Sequence, residues 1–225
     1  MSRSSSQKQR QILFLLLSDQ DFQPSVNAKA FIQLFNIVVS SQSRVVVATW
    51  GGLPPHWSEN DSVAARWFEQ QQEPTLLKPL NLKTINLEYF DYSGLVVPPV
   101  DGLVGSFVND KIGGVIQHFA AKKRPICFIA EGSLALFSTK PLSSSRWIFE
   151  GVSMTAPSNL ELIRQNLFAK HASTEDLIRL WGGNYSAAQP DNLHVVIDSN
   201  VVSAQNRTSL LLAIQTFVLL LTSQK

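Results

Sequence analysis

The chain has 225 residues, 44% hydrophobic and 16% charged, with a net charge of +2. Those values describe one globular domain; two halves would each have a thin core, and the charge is too small to mark a nucleic-acid binder. A single cysteine, Cys127, excludes an internal disulfide and any multi-cysteine zinc site.

Residues 1–11 are polar and basic and are expected to form a flexible N-terminus, followed by a single domain over 12–225. Ile12–Leu17 is a continuous apolar run, too short for a signal-peptide core and typical of a strand covered on both faces. Phe31, Leu34, Phe35 and Val38 then fall at i, i+3, i+4 and i+7, a helical stripe. Arg44–Thr49 reads as a β-branched strand ending at Gly51-Gly52. A second helix is predicted from an Asp61 N-cap to Gln70, and Pro74 to Pro79 reads as irregular.

Tyr92–Val97 is the next strand, stopped by Pro98-Pro99. Asp110 is expected to cap a helix carrying Ile112, Val115, Ile116 and Phe119 on one face. Gly113-Gly114 inside it implies close packing on a sheet. Arg124–Ala130 is a strand that turns at Gly132 into a short helix. Trp147–Phe149 and Val152–Met154 read as a β excursion, and Ser158 to about Phe168 as a helix. Leu193–Asp198 is a strand with Val201–Ala204 beside it, and an apolar helix closes the chain from about Thr208 to Leu221. Half the length of a membrane span, that helix is expected to be buried or to lie at a subunit contact. Alternating strands and helices with continuous apolar strands predict a parallel, doubly wound α/β sheet, with sites beyond the carboxyl ends of its strands.

At one such end, Arg124-Pro-Ile-Cys-Phe-Ile-Ala-Glu-Gly-Ser133 runs a strand into a helix through a tight turn, the shape of a nucleophile elbow. This stretch resembles the ThiJ/PfpI branch of the class I glutamine amidotransferase-like superfamily, whose elbow reads K-P-[VI]-x-x-I-C-x-G-P. Tyr92–Pro98 resembles the family's strand before the oxyanion hole, and Val196–Asp198 through Gln205 its last strand. Ala65-Arg-Trp67, Trp147–Phe149 and His194–Asp198 are similar to segments of the glutamine amidotransferase-like class 1 domain-containing subfamily. The resemblance implies a flavodoxin-like, mostly parallel sheet with helices on both faces.

Transferred residue by residue, the same resemblance removes the family's machinery. Its cysteine position is Ala130, its histidine position is Ala156, and its oxyanion Gly-Gly is replaced at Pro99-Val100. Asp19 or Asp21 would stand for the acid after the first strand. The expectation is therefore no catalytic residues, no cofactor and no metal. What is left is a vestigial pocket of Ala130, Glu131, Gly132, Pro98, Pro99 and Ala156.

Cys127 reads as a buried strand residue, Glu131 as an acid favoured at a helix N-terminus or a pocket ligand, and Ser133 as a poorly placed hydroxyl. His56, His118, His171 and His194 lack metal-ligand spacing. Gly51-Gly52 reads as a turn. Trp50 and Trp57 flank a Pro-rich loop and are either interface anchors or caps on the core edge.

The subfamily resemblance implies an interaction subunit of an early-endosomal Rab-effector complex linked to mRNA transport. It also implies homo-oligomers and heterologous protein partners, without direct nucleic-acid contact or membrane insertion. The chain would then be cytoplasmic and peripheral on early endosomes. The alternatives are a residual hydrolase, glyoxalase or amidase-type enzyme, or a small-molecule sensor using the vestigial pocket.

Overall fold

The computed structural model describes residues 9–18, 24–71, 73–89, 91–102, 109–141, 146–167 and 173–223. Asp19, Asp21, His171, Phe168 and most of the polar N-terminus lie outside the described residues.

Strands β1 (Gln11–Leu15), β2 (Pro24–Asn27), β3 (Arg44–Thr49), β4 (Trp57–Ser58), β5 (Leu80–Asn81) and β6 (Tyr92–Val97) form in the first half. They are followed by β7 (Val100–Gly102), β8 (Ile126–Ile129), β9 (Ser153–Met154), β10 (Asn184–Tyr185), β11 (Val195–Asp198) and β12 (Val201–Ala204). The main sheet has the order β11-β12-β8-β6-β1-β3-β5. Every pairing in it is parallel except the β11–β12 hairpin. A second sheet, β4-β2-β7, sits apart from it, and β9 pairs with β10.

The apolar run Ile12–Leu17 explains the layering. Successive side chains of a strand point to opposite faces. Leu13, Leu15 and Leu17 enter one core, while Ile12, Phe14 and Leu16 enter the other. The first core takes Ile112, Val115, Ile116 and Phe119 from helix α4 (Asp110–Ala121). The second takes the predicted stripe Phe31, Leu34, Phe35 and Val38 from α1 (Ala28–Ser40), and Ala213, Ile214 and Phe217 from α7 (Leu210–Ser223). Helices therefore cover both faces, as the sequence predicts.

Helix α2 (Ser62–Gln71) begins where Asp61 accepts hydrogen bonds from the backbone N–H groups of Val63 and Ala64. Five local expectations are corrected. Pro74–Leu77 is a helical turn, α3, because proline suits the first position, where no N–H donor is needed. Asn109 rather than Asp110 caps α4, its side chain accepting from Ile112. Trp147–Phe149 is a turn that bonds Glu150 and Val152 back to residues 147 and 149, so only Ser153–Met154 extends. Helix α5 spans only Asn159–Arg164, closed at its start by a reciprocal Ser158–Glu161 capping box. The fifth concerns Gly113, which packs on a neighbouring helix and not on the sheet. A β-carbon there would sit 2.0 Å from the Ser138 carbonyl oxygen. Helix α6 (Thr174–Leu180) completes the set.

The two adjacent glycines of α4 should therefore respond oppositely to alanine. Gly113→Ala should cost about 1–3 kcal/mol by overpacking against backbone. Gly114, with open space where its β-carbon would lie, should gain about 1 kcal/mol as alanine. Urea midpoints of the two variants check this; a stable Gly113→Ala protein would refute the packing.

Candidate functional site

Strand β8 ends at Ile129, and the next residue, Ala130, turns the chain with φ 48° into a 3₁₀ helix spanning Ala130–Thr139. A left-handed residue with a β-carbon costs about 1–2 kcal/mol. Gly132 makes the turn possible, since a β-carbon there would approach the carbonyl oxygens of Val97 and Pro98 to 2.4 and 2.6 Å. The elbow is thus a close contact between the carboxyl ends of β6 and β8.

The residue at the apex is sealed. Ala130 and Ala156 are 0% exposed, and Gly132, Pro98 and Pro99 are also buried. Ala156 uses its carbonyl to accept a hydrogen bond from the Tyr185 hydroxyl. Of the six residues expected to form a vestigial pocket, Glu131 alone lines the open space nearby. That space is a cavity of about 560 Å³, displaced toward Asp101, Asn206 and Arg207.

Arg207 organises this cavity. It lies on the short 3₁₀ turn Arg207–Ser209 that leads into α7, positioned by Asn206, whose side chain accepts from the backbone and hydroxyl of Ser209. The guanidinium pairs with Asp101 of β7, with Glu131 of the elbow at 3.7 Å, and with Glu59 at 3.6 Å. Asp101 also accepts hydrogen bonds from Ser58 and Asn27. One cation therefore ties the small sheet, the elbow and the last helix together.

The two inner carboxyls respond differently. Burial works to raise Asp101, but the Ser58 hydroxyl and Arg207 outweigh it and hold the carboxyl below its ordinary 3.8. Burial dominates at Glu131 and pushes it above its ordinary 4.5, against the pull of Arg207. Its Oε2 atom is buried and makes no hydrogen bond. Glu131 is therefore a partner of Arg207, where the sequence suggested an N-terminal acid or a ligand. Arg207 and Asp101 were not foreseen: they stand 106 residues apart, a separation that leaves no periodic signal.

The remaining candidates resolve into structure. Cys127 is fully buried, and burial drives its thiol pKa upward, away from thiolate chemistry. Ser133 is 0% exposed and its hydroxyl has no hydrogen-bond partner, so no base is in place to activate it. His118 pairs with Glu88 at 3.2 Å and is mostly buried, which lowers its pKa. His194 meets the Ser186 hydroxyl at 3.0 Å, and His56 is exposed. Among the described residues no group of three or more His, Cys, Asp or Glu is placed to hold a metal ion. None of the five tryptophans is an exposed anchor. Trp57 and Trp67 pack on Phe31, Trp147 and Trp181 on each other, and Trp50 on the core edge.

A parallel sheet with helices on both faces and a left-handed elbow after a central strand defines a ThiJ/PfpI-like domain. A ThiJ/PfpI domain protein from Brachyspira murdochii superposes with a TM-score of 0.64 at 13% identity, covering 97% of this chain and all of that one. Glyoxalase III from Candida albicans gives 0.74 at 11% identity, covering 93% and 96%. No family model matches the sequence. Within the class, the chain belongs to the family of glutamine amidotransferase-like class 1 domain-containing protein 1. It is 32% identical over 202 residues to the Xenopus laevis protein of that name, covering 89% of this chain and 86% of that one.

Three substitutions test the charge arrangement. Arg207→Met should cost about 1–2 kcal/mol at neutral pH, the lower end for a broken pair because the guanidinium is partly exposed. A carboxyl held low contributes stability above its unfolded pKa and loses it as pH falls through its folded value. Asp101→Asn should therefore destabilise at neutral pH and cease to matter well below pH 3.8. A carboxyl pushed up contributes below its unfolded pKa, 4.5 here, and loses that contribution as pH rises through the folded value. Glu131→Gln should accordingly be no less stable than the parent at neutral pH. Urea titrations across pH check both signs.

Proposed function

We propose that this chain is a catalytically silent ThiJ/PfpI-like domain that serves as an interaction subunit. The observation that carries the reading is Ala130: the strained elbow backbone is kept, but the side chain at its apex is a buried methyl group. A methyl group cannot attack a substrate. The family's histidine position is Ala156, and Pro99 has no N–H to donate to an oxyanion. Joint loss of nucleophile and oxyanion donors removes most of an elbow enzyme's rate.

An elbow retained without its chemistry points to a scaffold role. The subfamily resemblance supplies the setting: heterologous partners in an early-endosomal Rab-effector complex linked to mRNA transport, with the chain cytoplasmic or peripheral on that membrane. Among the described residues no helix is long and apolar enough to cross a membrane. A ligand-sensing role, or a residual hydrolase, glyoxalase or amidase-type activity, draws its support from the 560 Å³ cavity beside Glu131. Against the enzymatic version, neither Ala130 nor Ser133 is exposed to that cavity.

Native affinity purification of the tagged chain from its own cells, followed by mass spectrometry, tests the reading. The expected result is a set of stoichiometric heterologous proteins that survives washing and is unchanged by Ser133→Ala. Recovery of the chain without such partners, together with turnover that Ser133→Ala abolishes, would replace the scaffold with an enzyme.

A further inference from the structure

Strand β3 has six residues, but its outer neighbour β5 pairs only with Ala48 and Thr49. Among the described residues, no strand lies beside Arg44–Val47 on that side. The turn α3 stands there instead, and its Thr75 hydroxyl accepts the Val47 N–H at 2.5 Å. A single helical turn cannot fill the length of a strand, since four strand residues span roughly 13 Å and four helical ones about 6 Å. The space left over is a groove of about 400 Å³, lined by Val46, Pro74, Leu77 and Leu80 together with Arg44 and Lys78.

The groove combines exposed apolar surface with unpaired positive charge. Leu77 is 63% exposed, and Val46 and Leu80 are half-buried. Arg44 and Lys78 are exposed, and among the described residues neither forms an ion pair. Elsewhere Lys29, Arg124 and Arg164 each hold a carboxylate within 3.0 Å. The cavity beside Arg207 is lined by Asp101, Glu131 and Asp191, whereas no carboxylate lines this groove. Charges on a strand at a sheet edge also keep that edge from pairing with others. That role needs no leucine held open beside them, and it does not account for Lys78, which lies off the strand.

Charge and shape together select the occupant. A nucleic acid is held by many phosphate contacts, and two cations on a chain of net charge +2 supply no such stripe. A bilayer surface takes up a long amphipathic helix, but α3 has four residues and the feature beside it is concave. An acidic, apolar peptide matches both ingredients. Its carboxylates meet Arg44 and Lys78, and its apolar side chains displace water from Val46, Leu77 and Leu80. We propose that the groove between β3 and α3 docks a short acidic, apolar segment of a heterologous protein. This rests on the interaction-subunit reading and names the partner's chemistry and its place on the fold.

The test is fluorescence anisotropy of a labelled Asp-Leu-Asp-Leu-Asp-Leu peptide with the whole chain, beside a Lys-Leu-Lys-Leu-Lys-Leu peptide. The expected result is a Kd below about 1 mM for the acidic peptide, weakened by salt, and no binding of the basic one. Arg44→Glu exchanges an attraction for a repulsion and should weaken binding about 10-fold. Leu77→Ser removes apolar contact and should weaken it by a similar factor. Lys111→Glu, on the exposed side of α4, should leave it unchanged. All three sites are exposed, so folding should be retained, and circular dichroism verifies that. No binding at about 1 mM, equal binding of both peptides, or binding indifferent to Arg44→Glu and Leu77→Ser would overturn the proposal. So would Arg44-dependent binding of phosphatidylserine vesicles without binding of the acidic peptide. Should the peptide fail while affinity purification returns heterologous proteins, the subunit reading stands and this groove is not their site.

Discussion

The turn after β8 is the constraint on which the rest of the carboxyl-end architecture depends. Ala130 is held in the left-handed region, and Gly132 lies where its own missing side chain would strike the carbonyls of Val97 and Pro98. Those two features fix the distance between β6 and β8 at the carboxyl end of the sheet. They also direct Glu131 outward, to the point where Arg207 arrives from the last helix. The small sheet is then secured through Asp101, which meets the same guanidinium. Backbone strain at the elbow and charge pairing beyond it are parts of one mechanical arrangement.

In a catalytic domain the cost of such a turn is offset by what it presents. Here the apex is a methyl group with no exposure. The nearby cavity is lined by Asp101, Glu131 and Arg207 and not by the elbow apex. A ligand bound there would follow the fold's rule that ligands meet the carboxyl ends of strands.

Much of this was legible in the sequence because it rests on local pattern. The buried runs Ile12–Leu17, Arg44–Thr49 and Tyr92–Val97, and the stripe from Phe31 to Val38, each carry their own period and emerged as predicted. The elbow was legible because a strand, a small residue and Gly132 occur in fixed succession. The short strands β2, β4 and β7 were not, since two to four residues are too few to display alternation. Nor was Arg207: its three carboxylate partners come from a bend, a strand and the elbow, all distant in sequence, and an ion pair across 106 residues has no sequence signature. The same limit misplaced the pocket. Ala130, Gly132, Pro98, Pro99 and Ala156 were grouped with Glu131 by resemblance to the family's site, but packing closes over them and leaves Glu131 alone of the six at the cavity.

On the reading proposed above, the folded chain presents no nucleophile at its elbow. The most direct measurement is intact-mass analysis of the native protein exposed to a fluorophosphonate, which reports activated hydroxyls, and separately to iodoacetamide, which reports accessible thiols. The account predicts no fluorophosphonate adduct, and one iodoacetamide adduct, on Cys127, only after denaturation. Labelling of Ser133 in the folded state, or rapid native alkylation of Cys127, would contradict it.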